Sequence, residues 1–511
     1  MYLSIMTVAP LIGAIVVGCL PRTQGKLAKL IALVVSLGVL GLAIAAWFAF
    51  QPGGARMQLT ETYKWIPAWG ASFSFGTDGI ALVMLALIGL LVPLVIIASW
   101  NHAEQDERRS VPAFFALLLF LEGSMIGVFA ATDVLLFYLF FEIMLVPMYF
   151  LIGSYGADVP QKQRQYAAVK FFLYSLVGGL FMLAAVIGMW VLGGRTFDWQ
   201  TLTNAEFTQS AGRWMFLGFF LAFAIKAPFF PFHTWLPDAG GAAPAGVAAL
   251  LVGVMDKVGT FGILRYCLPL FPEASHYFAP LAITLSLVGI LYAALLAVGQ
   301  NDLKRLVAYT SIAHFGFIGI GVFAFTTQAA TGAVLYMLNH GLATGLLFLV
   351  VGMLVNRRGS AAISDFGGAG KLVPVLAGVF FVAGMASLAL PGLAPFVSEF
   401  LVLLGTFTVN KTVAVVATAG IILAAAYVLW MIQRTMHGKL NPSLEGVSGL
   451  RKDLTGREAL VVAPLIALLL VLGFYPKPVL DVINPAVTHT LQTDLGVQDP
   501  APTNADLEAG K

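Results

Sequence analysis

The chain has 511 residues, 59% of them hydrophobic and only 10% charged, with a net charge of +3 and a mean hydropathy of +0.90. Soluble domains carry roughly 25% charged residues, and a soluble core cannot hide this much apolar surface, so the composition excludes a soluble fold. The basic residues lie in short loops between apolar runs, giving no reason to expect nucleic acid, and two cysteines, Cys19 and Cys267, are too few for an iron–sulfur site, a structural zinc or a disulfide framework.

A helix that crosses a bilayer needs about 20 apolar residues. In chain order such segments fall at 2–20, 28–50, 78–100, 111–131, 133–153, 165–192, 213–236, 242–268, 277–299, 303–325, 328–355, 372–405, 411–433 and 458–475. The expected fold is therefore an all-α polytopic membrane protein of about fourteen helices. Its first segment, Tyr2 to Leu20, lacks a basic leader and reads as a retained helix. Beyond Pro476 the chain turns polar, and residues 490–511 read as disordered and mildly acidic.

The basic residues test that count. Loops after odd-numbered segments hold eighteen of the 28 lysines and arginines, among them Arg22, Lys26, Arg108, Arg109, Lys304, Arg305, Arg357 and Arg358. Even-numbered loops and the tail hold seven, Lys511 included, while Lys226, Lys257 and Arg265 lie inside segments. By the positive-inside rule the odd loops face the cytoplasm and both termini face outward, as in a multi-pass protein of a bacterial inner (plasma) membrane.

Two segments are interrupted. The seventh contains Ala227-Pro228-Phe229-Phe230-Pro231-Phe232 and the twelfth Pro391-Gly392-Leu393-Ala394-Pro395-Phe396, and paired prolines remove backbone donors in mid-membrane. Such breaks persist where neighbours or water satisfy the freed groups. Pro231-Phe232 and Pro395-Phe396 match at an offset of 164, as do Gly188-Met189 and Gly352-Met353. With an odd number of helices intervening, the repeats would be inverted, a pattern of transporters whose pathway lies at the midplane. The expected division is 1–110 for the first three helices, 111–271 and 272–436 for two five-helix repeats, and 437–511 for a loop, the last helix and the tail.

Ionisable groups inside the segments complete the pattern. A charge at a helix centre costs about 3 kcal/mol on insertion scales, so such residues line a pathway or pair with one another. Glu122, Glu142, Lys226, Lys257, His314 and His340 lie near segment centres, and Glu399 follows the second break. Singly, a histidine can be an interhelical tie and a lysine or glutamate a static ion pair. Asp256 sits about a hundred degrees around its helix from Lys257 and reads as a structural partner to another helix; Arg265 reads as snorkelling to the interface, and His233 as a loop anchor. Together, the carboxylates, lysines and histidines form a series of mixed proton affinity. Burial disfavours a charged ammonium and a nearby carboxylate favours it, so a moving carboxylate would switch a lysine between holding and releasing a proton. Histidines titrate near neutrality and suit relay positions. The residues offer no metal cage and no organic-substrate pocket, which leaves transfer of protons or small cations.

The same stretches carry a resemblance. Ala131-Thr132-Asp133 through Phe140-Phe141-Glu142 to Pro147, Ala224-Ile225-Lys226-Ala227-Pro228 and His233-Thr234-Trp235-Leu236-Pro237 resemble the antiporter-like subunits of respiratory complex I. So do Asn301-Asp302-Leu303-Lys304-Arg305 through Tyr309 and Ser311 to His314, and Asn339-His340-Gly341-Leu342. The resemblance runs over the fourth to thirteenth segments and implies fourteen helices with two inverted repeats. Most of that family carries lysine at the terminal position of the twelfth helix, whereas Phe396-Val397-Ser398-Glu399-Phe400 is similar to the glutamate-bearing branch in NADH:quinone oxidoreductases. By resemblance, Glu142 and Lys226 form a modulating pair, Lys257 is the central relay, and His314 and His340 pass protons to Glu399; Glu122, read from the residues alone, fits a structural tie as well as a place in the relay. Two departures stand out: Gly240-Gly241-Ala242-Ala243-Pro244 replaces the usual His-x-Glu-Ala-Pro, and Asp256-Lys257 replaces Leu-Lys. The implied chain is a proton-translocating membrane-arm subunit without a cofactor or metal of its own. NADH, flavin, iron–sulfur clusters and quinone would belong to partner subunits, and its neighbours would be other membrane-arm subunits, antiporter-like ones among them, and the lipid bilayer. Alternatives are a subunit of a multisubunit cation/proton antiporter or membrane-bound hydrogenase complex, or a structural role in which the charges only hold helices together.

Overall fold

Hydrogen-bond economy in hydrocarbon leaves a chain this apolar one choice, the helix, and helices dominate the computed structural model. It describes residues 1–105, 109–156 and 159–500; Arg108, Lys511 and the tail beyond residue 500 lie outside the described residues. Among the described residues, eleven helices are long and apolar enough to cross a membrane. Several match their predicted bounds closely, as with Val111–Ala130, Leu303–Phe323 and Gly456–Phe474. The helices start where polar loops supply a cap. Asp78, Ser110, Asp133, Asp302 and Thr326 each accept the backbone N–H three residues on, satisfying a donor that the first turn leaves free.

The other three predicted segments fall on shorter helices. Tyr2–Gly18 packs on Val111–Ala130. The seventh segment ends as a helix at Lys226 (Gln209–Lys226) and resumes only as the short Leu236–Ala242. The twelfth divides into Pro374–Ser387 and Ala394–Val409. Both proline pairs therefore interrupt a helix as expected.

Burial sorts the helices. Those carrying His314, His340 and Lys257 are interior over almost their whole length, whereas Arg22–Ala49, Gln161–Leu192, Pro272–Val298 and Lys411–Met436 are mostly peripheral. The periphery presents Ile15, Phe48, Leu180, Trp214, Leu295, Ile422 and Phe474 outward, an apolar surface suited to lipid or to neighbouring helices.

Polar ties between loops fall into two sets. One joins odd-loop residues: Lys29 to Glu104, Lys170 and Arg305 to Asp238, and Arg357 to Glu458. The other joins the N-terminus and the even loops: the Met1 amine to Glu61, Ser72 N to Asp133, Arg56 to Asp494, and Arg213 to Glu273. The basic loops thus meet at one end of the molecule and the loops poor in lysine and arginine at the other.

Three expectations need correction. The 51–77 connection folds into an antiparallel hairpin, Gln58–Ile66 with Ala71–Thr77, whose second strand leads into the Asp78 cap. The tail is ordered through the described residues: Lys477–Thr488 is helical, Leu491 is buried, Arg56 grips Asp494 at 2.6 Å and Thr331 meets Asn484 at 2.9 Å. Apolar residues on one side of a mostly polar stretch were enough to dock it. Arg265 does not snorkel; it is buried against Asp78 at 2.7 Å, with its guanidinium over the Trp199 and Phe261 rings.

That buried pair gives a stability prediction. Arg265→Leu strands the Asp78 carboxylate and should cost about 3–5 kcal/mol, seen as a lower thermal transition of the purified protein. Adding Asp78→Asn, which keeps the helix cap but removes the charge, should recover most of the loss. No recovery would show that the pair is not what stabilises this corner.

Candidate functional site

The functional side chains converge because the interior helices carry them. Lys257 stands on a helix that is not uniformly α: Ala245–Leu250 passes through a π-type turn, Leu251–Met255, before Lys257–Gly262, and a second π-type turn follows at Ile263–Cys267. Such bulges widen the helix and free carbonyls, and they recur at functional sites. The Lys257 amine folds back onto one of these, the Val252 carbonyl, and is also hydrogen-bonded to His340 Nδ1 at 2.6 Å.

From there the polar groups run on. The His340 and His314 rings have centroids 5.3 Å apart. His314 Nδ1 is 2.7 Å from the Tyr336 hydroxyl, which donates to Glu399 Oε2 at 2.7 Å. With the single hydroxyl proton committed to Glu399, Nδ1–H of His314 donates to the Tyr336 oxygen. Lys257, His340, His314, Tyr336 and Glu399 thus form one buried line across four helices, with a ring-to-ring step in its middle. Among the described residues His314 Nε2 and His340 Nε2 make no well-formed hydrogen bond, and the Ser311 and Ser387 hydroxyls are likewise unpaired.

Tyr336 was absent from the sequence-derived set. It lies four residues before His340, hence on the same helix face, and that spacing is the signal that could have found it.

Lys226 and Glu142 are arranged differently. Lys226 is fully buried at the C-terminal end of its helix, its amine unpartnered over the Phe141 and Phe171 rings at 5.5 and 5.3 Å. Among the described residues it makes no ion pair with Glu142. The Glu142 carboxyl instead lies against Gly179, where a Cβ would fall 1.6 Å from Oε1, and that oxygen has no partner. The expected pair is therefore apart in this structure. Glu122 is fully buried with both carboxylate oxygens unpaired and joins none of the others.

Two glycines bring the halves together. A Cβ on Gly259 would lie 2.5 Å from the Phe223 carbonyl and 2.6 Å from the Ala227 nitrogen, and one on Gly262 would lie 2.4 Å from the Phe223 ring. The Lys257–Gly262 helix can therefore press directly on the end of the Lys226 helix. Asp256 is fully buried and, among the described residues, neither of its carboxylate oxygens is hydrogen-bonded. His233 is buried between the Phe230 and Tyr292 rings, in keeping with an anchor.

The glycine departure at 240–241 lies in the Leu236–Ala242 helix, which Asp238 clamps to Lys170 at 2.7 Å and to Arg305 at 2.6 Å. Burial alone would raise the Asp238 carboxyl, but hydrogen bonds and charge from Lys170 and Arg305 outweigh it and hold it below its ordinary value. The clamp's contribution is thus complete above the unfolded value of about 3.9 and is lost as pH falls through the lower folded one. Among the described residues no group of three or more His, Cys, Asp or Glu side chains is placed to hold a metal ion. What the arrangement can do is accept, hold and pass protons.

Comparison with known proteins agrees with that chemistry. The profile of the family described as NADH:quinone oxidoreductase/Mrp antiporter, TM, matches residues 131–424. NADH-quinone oxidoreductase subunit M of Mycobacterium tuberculosis is 48% identical, covering 99% of this chain and 96% of that protein. The subunit of the same name from Rhodobacter capsulatus is 40% identical over 97% of this chain and 98% of its own length. In the structure of respiratory complex I from Thermus thermophilus with bound NADH, one chain superposes with a TM-score of 0.86 at 32% identity, covering 97% of this chain and all of that one.

Tyr336→Phe removes the one donor that Glu399 has among the described residues and the acceptor of His314. The loss should be about 1–3 kcal/mol for leaving buried polar groups unpaired, read as a lower thermal transition. An unchanged transition would mean that the two bonds carry no weight.

Proposed function

The chain belongs to the NADH:quinone oxidoreductase/Mrp antiporter transmembrane family, and on that premise we propose that it is a proton-translocating membrane-arm subunit of a respiratory NADH:quinone oxidoreductase. The observation that carries the proposal is the buried line from Lys257 through His340, His314 and Tyr336 to Glu399. A line of basic and acidic groups in a low-dielectric interior costs stability as a scaffold and gains its value from moving protons.

The proposed cycle begins at Glu142 and Lys226. A carboxylate brought towards the Lys226 ammonium holds a proton there; when it withdraws to the Gly179 position, the unpaired ammonium gives its proton up. The proton moves to Lys257 and then along the histidines and Tyr336 to Glu399, each step being protonation of one group as the last is deprotonated. Redox chemistry, with NADH, flavin, iron–sulfur clusters and quinone, is assigned to partner subunits, and this chain's own part is to hold and move the proton. Two cysteines, one exposed and one buried, fit no cluster.

The proposal includes fourteen crossings and two inverted five-helix repeats. The offset of the two broken helices and the segregation of loop ties into two ends support it. The basic loops would face the cytoplasm and both termini the outside of the cell membrane. Neighbouring antiporter-like subunits and lipid would cover the apolar periphery. Glu399 as terminal group favours this reading over a cation/proton antiporter subunit.

A tagged chain purified in mild detergent should bring NADH:quinone reductase activity together with flavin and iron–sulfur signals; an intact multisubunit particle lacking them would contradict the assignment. In vesicles holding the whole complex, Lys226→Ala or Glu142→Gln should lower NADH-driven proton pumping at least tenfold. Gly179→Ala, which displaces the Glu142 carboxyl, should lower it too, whereas Gly188→Ala, with nothing nearer than 3.4 Å, should not. Full pumping by Lys226→Ala or Glu142→Gln in an assembled complex would end this mechanism.

A further inference from the structure

Between Lys226 and Lys257 the polar line is not closed. Among the described residues the Lys226 amine has no hydrogen-bond partner, and the Lys257 amine is engaged with Val252 and His340. Asp256 adjoins Lys257 in the chain, at the head of the helix that approaches the end of the Lys226 helix. It is fully buried, both of its carboxylate oxygens are free of hydrogen bonds, and its charge acts on both Lys226 and Lys257. It sits where the Leu251–Met255 π-type turn gives way to the Lys257–Gly262 helix, the stretch that Gly259 and Gly262 allow to press on the end of the Lys226 helix.

Hydrogen bonding does not account for it. Its side chain makes no capping bond to the helix it precedes, and among the described residues it forms no ion pair within contact distance. A buried carboxylate without donors is one of the costlier groups a fold can hold. Such a group is useful where it is protonated and deprotonated in turn.

Resting on the relay proposed above, we infer that Asp256 is the proton-bearing link between Lys226 and Lys257. In the first transfer an N–H bond of the Lys226 ammonium breaks as an O–H bond forms on Asp256, leaving a neutral amine and a neutral acid. In the second that O–H bond breaks as an N–H bond forms on Lys257, restoring the carboxylate and leaving a Lys257 ammonium. No electron moves, and the sum is one proton carried from lysine to lysine. Steps longer than a hydrogen bond run through an intervening water.

The test uses the whole complex in vesicles, with pumping and NADH oxidation measured together, and infrared difference spectra taken during turnover. Asp256→Asn keeps the shape but carries no proton, and should lower pumping at least tenfold; Asp256→Glu should keep most of it. The unmodified complex should show a carboxylic-acid C=O band that rises and falls with turnover, shifts in Asp256→Glu and is missing in Asp256→Asn. Should Asp256→Asn fail to assemble, the band and its shift in Asp256→Glu decide the matter. Full pumping by Asp256→Asn while Lys226→Ala fails would overturn the link and leave the relay standing; full pumping by Lys226→Ala would remove the relay itself. Loss of pumping without an Asp256-dependent band would make Asp256 a fixed countercharge and overturn its part in transfer.

Discussion

The cost of charge in hydrocarbon governs this structure. An ionised side chain at mid-membrane is tolerated only where other helices shield it from lipid. Lys226, Lys257, His314, His340 and Glu399 are accordingly all buried, and most stand on the helices with the least contact with the outside. Peripheral helices carry apolar residues outward and act as insulation. The loops confine their ion pairs to the two ends, where water can share the charge.

Given that constraint, the interior divides into a wired part and an open part. Hydrogen bonds join Lys257 to His340 and His314 through Tyr336 to Glu399, with the two histidine rings 5.3 Å apart between them, and Tyr336 supplies a hydroxyl that donates on one side and accepts on the other. Around Lys226 and Glu142 nothing is joined. Separation there is what a switch requires. Two unit charges brought to about 4 Å in a medium of effective dielectric near 20 attract by about 4 kcal/mol, a bias of roughly a thousandfold on proton affinity. A carboxyl that moves between the lysine and Gly179 can therefore gate the wired part without any change in its geometry.

Much of this was legible in the sequence because hydrophobic length and charge placement are local properties. Val111–Ala130 and Leu303–Phe323 were placed almost to the residue, and both proline-broken helices divide where expected. Six of the seven expected relay residues are fully or almost fully buried, and Glu142 is half-buried. What escaped depends on three-dimensional pairing. The hairpin at 58–77 forms between loops of ordinary composition, and the tail docks through a few apolar residues in a polar stretch. Arg265 looks like an interfacial residue until Asp78, 187 positions away, is brought beside it. Tyr336 passes for a core aromatic because only the fold aims its hydroxyl at Glu399. The π-type turns that free the Val252 carbonyl have no sequence pattern that distinguishes them from α-helix.

The central claim is that protons pass through this chain to Glu399, and proton stoichiometry tests it most directly. The whole complex carrying Glu399→Gln, reconstituted in liposomes, would be assayed for protons moved per NADH oxidised. The account predicts fewer protons per NADH than the unmodified complex, or an oxidation rate that falls with pumping because the blocked path holds the cycle back. An unchanged ratio at an unchanged rate would contradict it.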